Sequence, residues 1–381
     1  MEFGWNDEQE SLWTEIYEFA QADIKRDLIE RDHKNIFLEE NWQAIADKGI
    51  LGLHLPEAYG GSHRSVVTTV RALEALGYGC PDNSLTLAVN GQMWTVQEPI
   101  LKFGTDEQKQ KYLPKLIDGT YKAGDGVTEA DAGSDAFSLQ TTATKVEGGY
   151  ILNGEKMFTG MGPVADIILT YATLKPELGR WGITTFIVDA HSDGVTLGKN
   201  KEKMGLRTTL MGNIRFKDVF VPAENLLGRE GSGASIFNST MDYERSFIFA
   251  SHVGSMARQL DDTIAYANSR QQGGQSIGKY QAVAHRIANM KIRLETARHY
   301  LYKCAWLIDQ KKSIPMEAAM AKLTISECFM ENSLDAVRVH GGRGYMTEFG
   351  VERDLRDAVG GVLYGGTSDI QRNLIAGLLG L

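Results

Sequence analysis

The chain is predicted to be an α+β protein, with a mostly β unit set between two mostly helical ones. Three observations carry this. Apolar residues recur at spacings of three and four from about residue 7 to 119, and again from about 234 to 381. Between about 126 and 225 the period falls to two, in short runs bounded by turn formers. The order is helices, strands, helices, without the βαβ alternation of a doubly wound dinucleotide fold.

In the first zone Trp13, Ile16, Tyr17 and Ala20 mark one helical face, and Val67, Val70, Leu73 and Leu76 mark another. Leu55-Pro-Glu-Ala-Tyr-Gly-Gly61 interrupts the helices by its Pro and its Gly pair. In the second zone residues 149–154, 166–171 and 183–188 read as strands, being rich in β-branched and aromatic residues. Ile214 and Phe216 alternate on one phase, Val219 and Val221 on the other, so a bend is expected near Asp218. Pro222 ends that run. In the third zone long amphipathic stretches cover 243–269, 280–310 and 315–339. Gly342-Arg-Gly344 follows no strand and is not read as a nicotinamide fingerprint.

At 381 residues the chain exceeds one ordinary core, and units of 1–125, 126–233 and 234–381 are expected. Its 43% hydrophobic and 23% charged residues exclude wholesale disorder. The net charge of −9 argues against nucleic acid as the main partner. No run of about 18 apolar residues suggests a membrane span. The first seven residues lack a basic segment followed by an apolar one, so a cytoplasmic protein is expected. Cys80, Cys304 and Cys328 are far apart and no Cys/His cluster has metal spacing, so reduced thiols and no metal are expected. The dispersed histidines suggest neither a hydrolytic triad nor an HExxH site.

Five segments have residues suited to chemistry, and each also has a plain structural use. Gly126-Val-Thr-Glu-Ala-Asp-Ala-Gly-Ser-Asp135 can offer N–H and O–H donors to a phosphate or ring carbonyl, with Gly133 permitting an unusual backbone angle. It also suits a hydrophilic connection with Asx turns. Lys156-Met-Phe-Thr-Gly160 could wall a flat ring with Phe158, or bury it. Arg270 to Gln281 is a basic, Gly-containing loop suited to an anionic ligand or to solvent. Val339-His-Gly-Gly-Arg-Gly-Tyr345 and Leu363-Tyr-Gly-Gly-Thr-Ser-Asp-Ile-Gln-Arg372 hold glycine pairs that cost about 1 kcal/mol per residue inside a helix. They suit close backbone approach to a ligand or partner, or helix ends. In Met241-Asp-Tyr-Glu-Arg-Ser-Phe-Ile248, Glu244 shares a helical face with Met241 and Ile248, and Arg245 lies about 100° away. Glu244 is a candidate for a carboxylate in apolar surroundings, or for a surface acid paired with an Arg.

Together, in order and over nearly the whole chain, these segments resemble the acyl-CoA dehydrogenase family of flavoproteins. Val127-Thr-Glu129 with Ala132-Gly-Ser-Asp135 is similar to one family signature. Ala336 to Tyr345 with Gly366-Thr-Ser-Asp-Ile-Gln-Arg372 is similar to another. The resemblance implies a helical N-terminal domain, a middle β-domain, a C-terminal four-helix domain, and FAD. It implies that Val127 and Thr128 face the flavin, that Ser134 serves the pyrophosphate, with Gly133 in the same cofactor-binding loop, and that Phe158, with Thr159 and Gly160 beside it, replaces a ring-stacking Trp. It implies that Arg270, Gln281, Arg338, Gly341 and Gly342 reach the FAD of a neighbouring subunit, and that Thr367 and Asp369 lie near the adenosine. A homotetramer follows from this sharing.

Departures from the family pattern are informative. Many members carry the catalytic glutamate in Tyr-Glu-Gly-Thr, whereas this chain has Tyr364-Gly-Gly-Thr367. A smaller group, including isovaleryl-CoA dehydrogenases, carries it in Asp-x-Glu-Arg, which Asp242-Tyr-Glu-Arg245 fits. The resemblance thus makes Glu244 the base, with Arg245, Tyr364 and Gly365 beside the substrate. Phe158-Thr-Gly160 lacks the hydroxyl common two places after the aromatic, and Thr159 either replaces it or does not. Gly273 and Arg338 stand where Phe and Gln are common. Within the family these features look most like the prolyl carrier-protein dehydrogenases and oxidases. The expected activity is α,β-oxidation of an L-prolyl thioester on the phosphopantetheine of an acyl or peptidyl carrier protein. A short branched-chain acyl-CoA is the alternative substrate, and a non-catalytic binding protein on the same fold is a third reading. An acidic carrier protein would need a basic surface, for which Arg245 and Lys199-Asn-Lys-Glu-Lys203 are available.

Overall fold

The computed structural model describes residues 4–24 and 27–381. The first zone forms α1 (Asp7–Ala22), α2 (Leu28–Lys34), α3 (Glu39–Asp47), α4 (Val66–Gly79), α5 (Asn83–Gly91), α6 (Glu98–Phe103) and α7 (Asp106–Ile117). Helix α1 begins at a capping box, in which Asn6 accepts from Gln9 N at 2.9 Å and the Gln9 side chain accepts from Asn6 N. Between α5 and α6 the chain widens into a π-helical stretch, Gln92–Gln97.

The middle zone forms β1 (Ala123–Gly126), β2 (Thr142–Val146), β3 (Gly149–Gly160), β4 (Ile167–Thr173), β5 (Ile183–Asp189), β6 (Val195–Leu197), β7 (Met211–Pro222) and β8 (Leu226–Leu227). They make one sheet in the order β6-β7-β3-β2-β4-β5-β8. Strand β1 pairs in parallel with β4 from Ala123↔Ile167 to Gly126↔Thr170, and β2 touches β4 only at Thr142↔Thr173. The two therefore lie end to end along one side of β4, and residues 127–141 leave the sheet between them.

Strand β3 runs six residues past the expected 149–154 piece. It stays paired with β7 because the register shifts twice, between Leu152 and Gly154 and between Lys156 and Thr159. The expected bend is present: Asp218 has φ +52°, with Ile214 and Phe216 buried before it and Val219 and Val221 after it.

The third zone forms α8 (Gly233–Phe247), α9 (Ala250–Ser269), the hairpin β9 (Gln271–Gln272) and β10 (Gln275–Ser276), then α10 (Gln281–Asp309), α11 (Pro315–His340), α12 (Gly342–Tyr345), α13 (Val351–Gly361) and α14 (Ser368–Leu378). The single helix expected over 243–269 is broken at Ile248 and Phe249. Phe249, with φ −95° and ψ 6°, leaves helical geometry there, and both residues are buried in the core. The loop expected at 270–281 contains a tight hairpin turned by Gly273 and Gly274, both at positive φ.

The two helical zones share one apolar core, with Leu73, Leu76 and Trp94 from the first meeting Phe247, Val253, Leu294 and Ile325 from the third. Helices α4 and α9 touch backbone to backbone. A Cβ at Gly254 would lie 1.9 Å from Glu74 O, and one at Gly77 would lie 1.7 Å from Ser251 O. The sheet has separate cores on its two faces, around Leu169, Tyr171 and Ile187 and around Leu152, Phe186 and Val219. Helix α8 ties the bodies together: at its start a Cβ on Gly233 would meet the Ile183 backbone at 2.8 Å. Among the described residues no helix is long and apolar enough to cross a membrane.

Candidate active site

On the sheet side the organising residue is Lys156, fully buried in β3. Its Nζ donates to Glu129 Oε1 at 2.7 Å and to Val127 O at 3.3 Å. Glu129 also accepts the backbone N–H groups of Gln140 and Thr141. Burial works against charge on Glu129, but Lys156 and these donors outweigh it and hold the carboxyl below its ordinary range. Met157 N donates to Thr128 O at 2.7 Å. These bonds pin residues 127–129 against β3, so the half-buried Val127 and Thr128 stand close to Phe158.

Phe158 occupies the second register shift of β3. It has φ +57° and is 54% exposed. A left-handed angle costs a non-glycine residue roughly 1–2 kcal/mol, and such strain concentrates where a ligand is held. Thr159 turns the other way. It is 1% exposed against Gly124 and Gly162, and its Oγ1 has no hydrogen-bond partner. Gly160 is exposed, with nothing near its Cβ position. Gly133 and Ser134 are exposed, but Gly133 does not take the unusual angle expected of it. The loop is closed instead by the Glu129–Ala132 hydrogen-bonded pair just before it.

On the helix side Glu244 lies on α8, half-buried, on the same side as the buried Met241 and Ile248. Burial pushes its carboxyl up to about 7, against the pull of Arg245 and Lys322. Gly365, in the turn before α14, has φ +65°, and a Cβ there would be 3.3 Å from Glu244 Oε1. A side chain from position 365 and the Glu244 carboxylate therefore compete for one space. Arg245 Nε reaches Gly365 O at 3.5 Å, and Gln371 Nε2 donates to the same oxygen at 3.0 Å. Tyr364 stacks on Phe249 with ring centres 5.4 Å apart and 15° between planes.

Thr367 caps α14, its hydroxyl accepting Ile370 N at 3.2 Å, and Asp369 is exposed beside Arg372. Arg270, Gln281, Arg338, Gly341 and Gly342 are brought together elsewhere. The Tyr266 ring stacks on His340 at 4.3 Å, which joins the end of α9 to the end of α11. All five of these residues are exposed. Arg338 lies about 24 Å along α11 from Lys322 at 1.5 Å per residue. One chain therefore presents two separate groups of candidate residues. A cavity of about 410 Å³ near His340, lined by Tyr78, Arg258 and Arg353, includes neither the sheet-side nor the helix-side residues described above.

Three features were not singled out from sequence. Asp125 on β1 has Oδ1 buried without a partner. Lys322 on α11 is fully buried with Nζ unpartnered, and its Cε would be 3.9 Å from a Cβ at Gly365. Burial lowers its ammonium to about 8, against Glu244 and Glu327. The π-helical stretch places Trp94 over His54, 4.6 Å between rings, with His54 Nε2 3.6 Å from Glu98. Tyr243, next to Glu244, hydrogen-bonds Glu98. Asp125 was the most findable of these, as a charge flanked by glycines in a short strand.

The acyl-CoA dehydrogenase N-terminal, middle and C-terminal domains match residues 6–120, 125–219 and 231–379. An L-prolyl-[peptidyl-carrier protein] dehydrogenase of Pseudomonas fluorescens is 42% identical over 91% of this chain and 91% of its own. The crystal structure of the prolyl acyl carrier protein oxidase AnaB is 45% identical, with TM-score 0.98 over 99% of this chain and 100% of that one. The structure of PigA with FAD and proline is 36% identical, with TM-score 0.97 over the whole of both chains.

Proposed function

The chain belongs to the acyl-CoA dehydrogenase family, and from that premise we propose that it is an FAD-dependent enzyme oxidising an L-prolyl thioester held on a carrier protein. The observation that carries the catalytic reading is the shared space of Glu244 and Gly365. One position supplies a carboxylate and the other withholds a side chain, so a single base occupies the place where either could stand.

FAD fits the sheet side. The exposed Phe158 ring on a strained backbone suits a planar ring system, and the pinned Val127–Thr128 segment lines it. Ser134, Gly133 and Gly160 leave open backbone for the phosphates. When bound, FAD supplies the two-electron acceptor that takes a hydride from the substrate. Glu244 does the proton chemistry. With its carboxyl near 7 it is partly ionised at neutral pH and is a stronger base than a free glutamate of about 4.3. It takes the proton from the carbon next to the thioester carbonyl. Lys322 and Arg245 stabilise the charge that Glu244 carries before it accepts that proton.

Two further parts of the reading concern assembly. Arg270, Gln281 and the 338–342 segment complete the FAD site of a neighbouring copy in a homotetramer. Ile292, Tyr345 and Leu363, each at least 60% accessible, are exposed apolar side chains available for burial in such an assembly. An acidic carrier protein approaches along the loop of exposed Lys199, tied to β7 where Lys201 N donates to Met211 O at 2.8 Å.

The test is an anaerobic titration of the yellow holoenzyme. Prolyl-loaded carrier protein should bleach the flavin and isovaleryl-CoA should not. The opposite pattern would return the enzyme to the branched-chain acyl-CoA class, and a colourless protein that binds no FAD would remove it from catalysis altogether.

A further inference from the structure

Asp125 is placed at a cost. It precedes the Gly126–Val127 exit from the sheet and lies between two glycines, so no neighbouring side chain on its own strand covers it. Its Oδ1 is buried with no hydrogen-bond partner. A buried carboxyl oxygen without a donor destabilises a fold, so its retention asks for a partner from outside the chain.

The groups around Asp125 do not supply that partner. Lys156 faces it, but the Lys156 ammonium is already committed to Glu129 at 2.7 Å and Val127 O at 3.3 Å. Tyr171, from the neighbouring β4, has its hydroxyl buried toward Thr240 and gives Asp125 no hydrogen bond. Glu244 faces it from α8 with the same sign of charge, and burial together with Glu244 holds the Asp125 carboxyl well above its ordinary range. The two carboxyls, one from each side of the site, thus oppose each other electrostatically. What completes the pair is a cation with N–H groups.

A prolyl thioester has that chemistry at the required spacing. Its ring nitrogen is bonded directly to the carbon that loses the proton, about 1.5 Å away. A base at the carbon and an acceptor at the nitrogen must then come from groups only a few ångströms apart. A straight or branched acyl chain would instead lay CH₂ or CH₃ against Asp125, with no hydrogen bond to give. Glu98 is the other buried carboxyl near α8, but Tyr243 already donates to it.

We propose that Asp125 is the specificity residue that receives the ring N–H of a secondary-amine thioester, setting that nitrogen beside the carbon that Glu244 deprotonates. The inference rests on the prolyl reading above and deepens it. Asp125 ionises against the incoming ammonium and one proton leaves to solvent, so total charge is conserved on binding.

The experiment uses holoenzyme and two carrier-protein thioesters, L-prolyl and cyclopentanecarbonyl, which differ by NH against CH₂ in the ring. In Asp125→Asn the half-saturating concentration of the prolyl thioester for flavin bleaching should rise tenfold or more, while that of the cyclopentanecarbonyl thioester stays put. Asp125→Leu should favour the carbocycle. Both variants should melt at or above the wild-type temperature with full FAD content. Equal changes for the two thioesters, or none, would overturn the assignment to Asp125 alone. A variant that lost FAD or failed to fold would make Asp125 architectural and overturn it as well. Wild-type flavin untouched by prolyl carrier protein would sink both this inference and the prolyl reading, so the two failures are distinguishable.

Discussion

The sheet wall and the helix wall of the site place their groups by different physical means. On the sheet wall the expense is conformational. Phe158 sits at a positive φ and is largely exposed, while hydrogen bonds from Lys156 and Met157 lock the loop beside it. On the helix wall the expense is electrostatic. Glu244 and Lys322 are charged groups kept in poor solvation, with ordinary helical backbone beneath them. The contrast suits the two tasks. A rigid flat ligand is recognised by shape, which a strained backbone can hold. A proton is moved by a group whose affinity for it has been tuned, which burial can do.

The sharpest test of the contrast is Glu244→Gln. Flavin reduction by substrate should fall by about a thousandfold or more with FAD retained, as stopped-flow absorbance would show; reduction at near-wild-type rate would end the helix wall's catalytic role. The same variant should alter stability in a defined direction. The raised Glu244 carboxyl favours the folded state most below about 4.5, and that contribution is lost as pH rises through about 7. Melting curves of the variant should lack this loss on the alkaline side.

Phe158→Gly addresses the sheet wall. It relieves the left-handed angle, so the cofactor-free chain should gain about 1 kcal/mol, while FAD affinity should drop about tenfold with the loss of ring contact. Lower stability in thermal melts would mean that the strain account is wrong. The smallest effect is expected from Lys322→Met. Lys322 pulls Glu244 down, so its removal should move the rising limb of kcat/KM above pH 7 and slow the enzyme a few-fold at neutrality, with recovery near pH 9. An unmoved limb would show that Lys322 does not act through Glu244.

How much of this was legible in the sequence depended on range. The three textures and the bend at Asp218 were legible because they are periodicities of adjacent residues. The break at Ile248 and Phe249 was not, because an apolar run reads the same whether a helix continues or turns within it. Glu244 was legible through the complementary absence at Gly365, two positions far apart in the chain that compete for one space. Asp125 and Lys322 were missed because what distinguishes them is an unmet hydrogen bond, and that exists only once the surrounding chain has closed over them.

The backbone contact of α4 with α9, made where Gly77 meets Ser251 and Gly254 meets Glu74, has a consequence for the newborn chain. Helix α4 leaves the ribosome on the order of ten seconds before the helix it must nest against. During that interval the face of α4 that meets α9 has no permanent cover, although α1 already packs on its other side, and the whole β-unit is synthesised while it waits. Expression yield should therefore depend on trigger-factor-like holdases more than the stability of the finished fold would suggest.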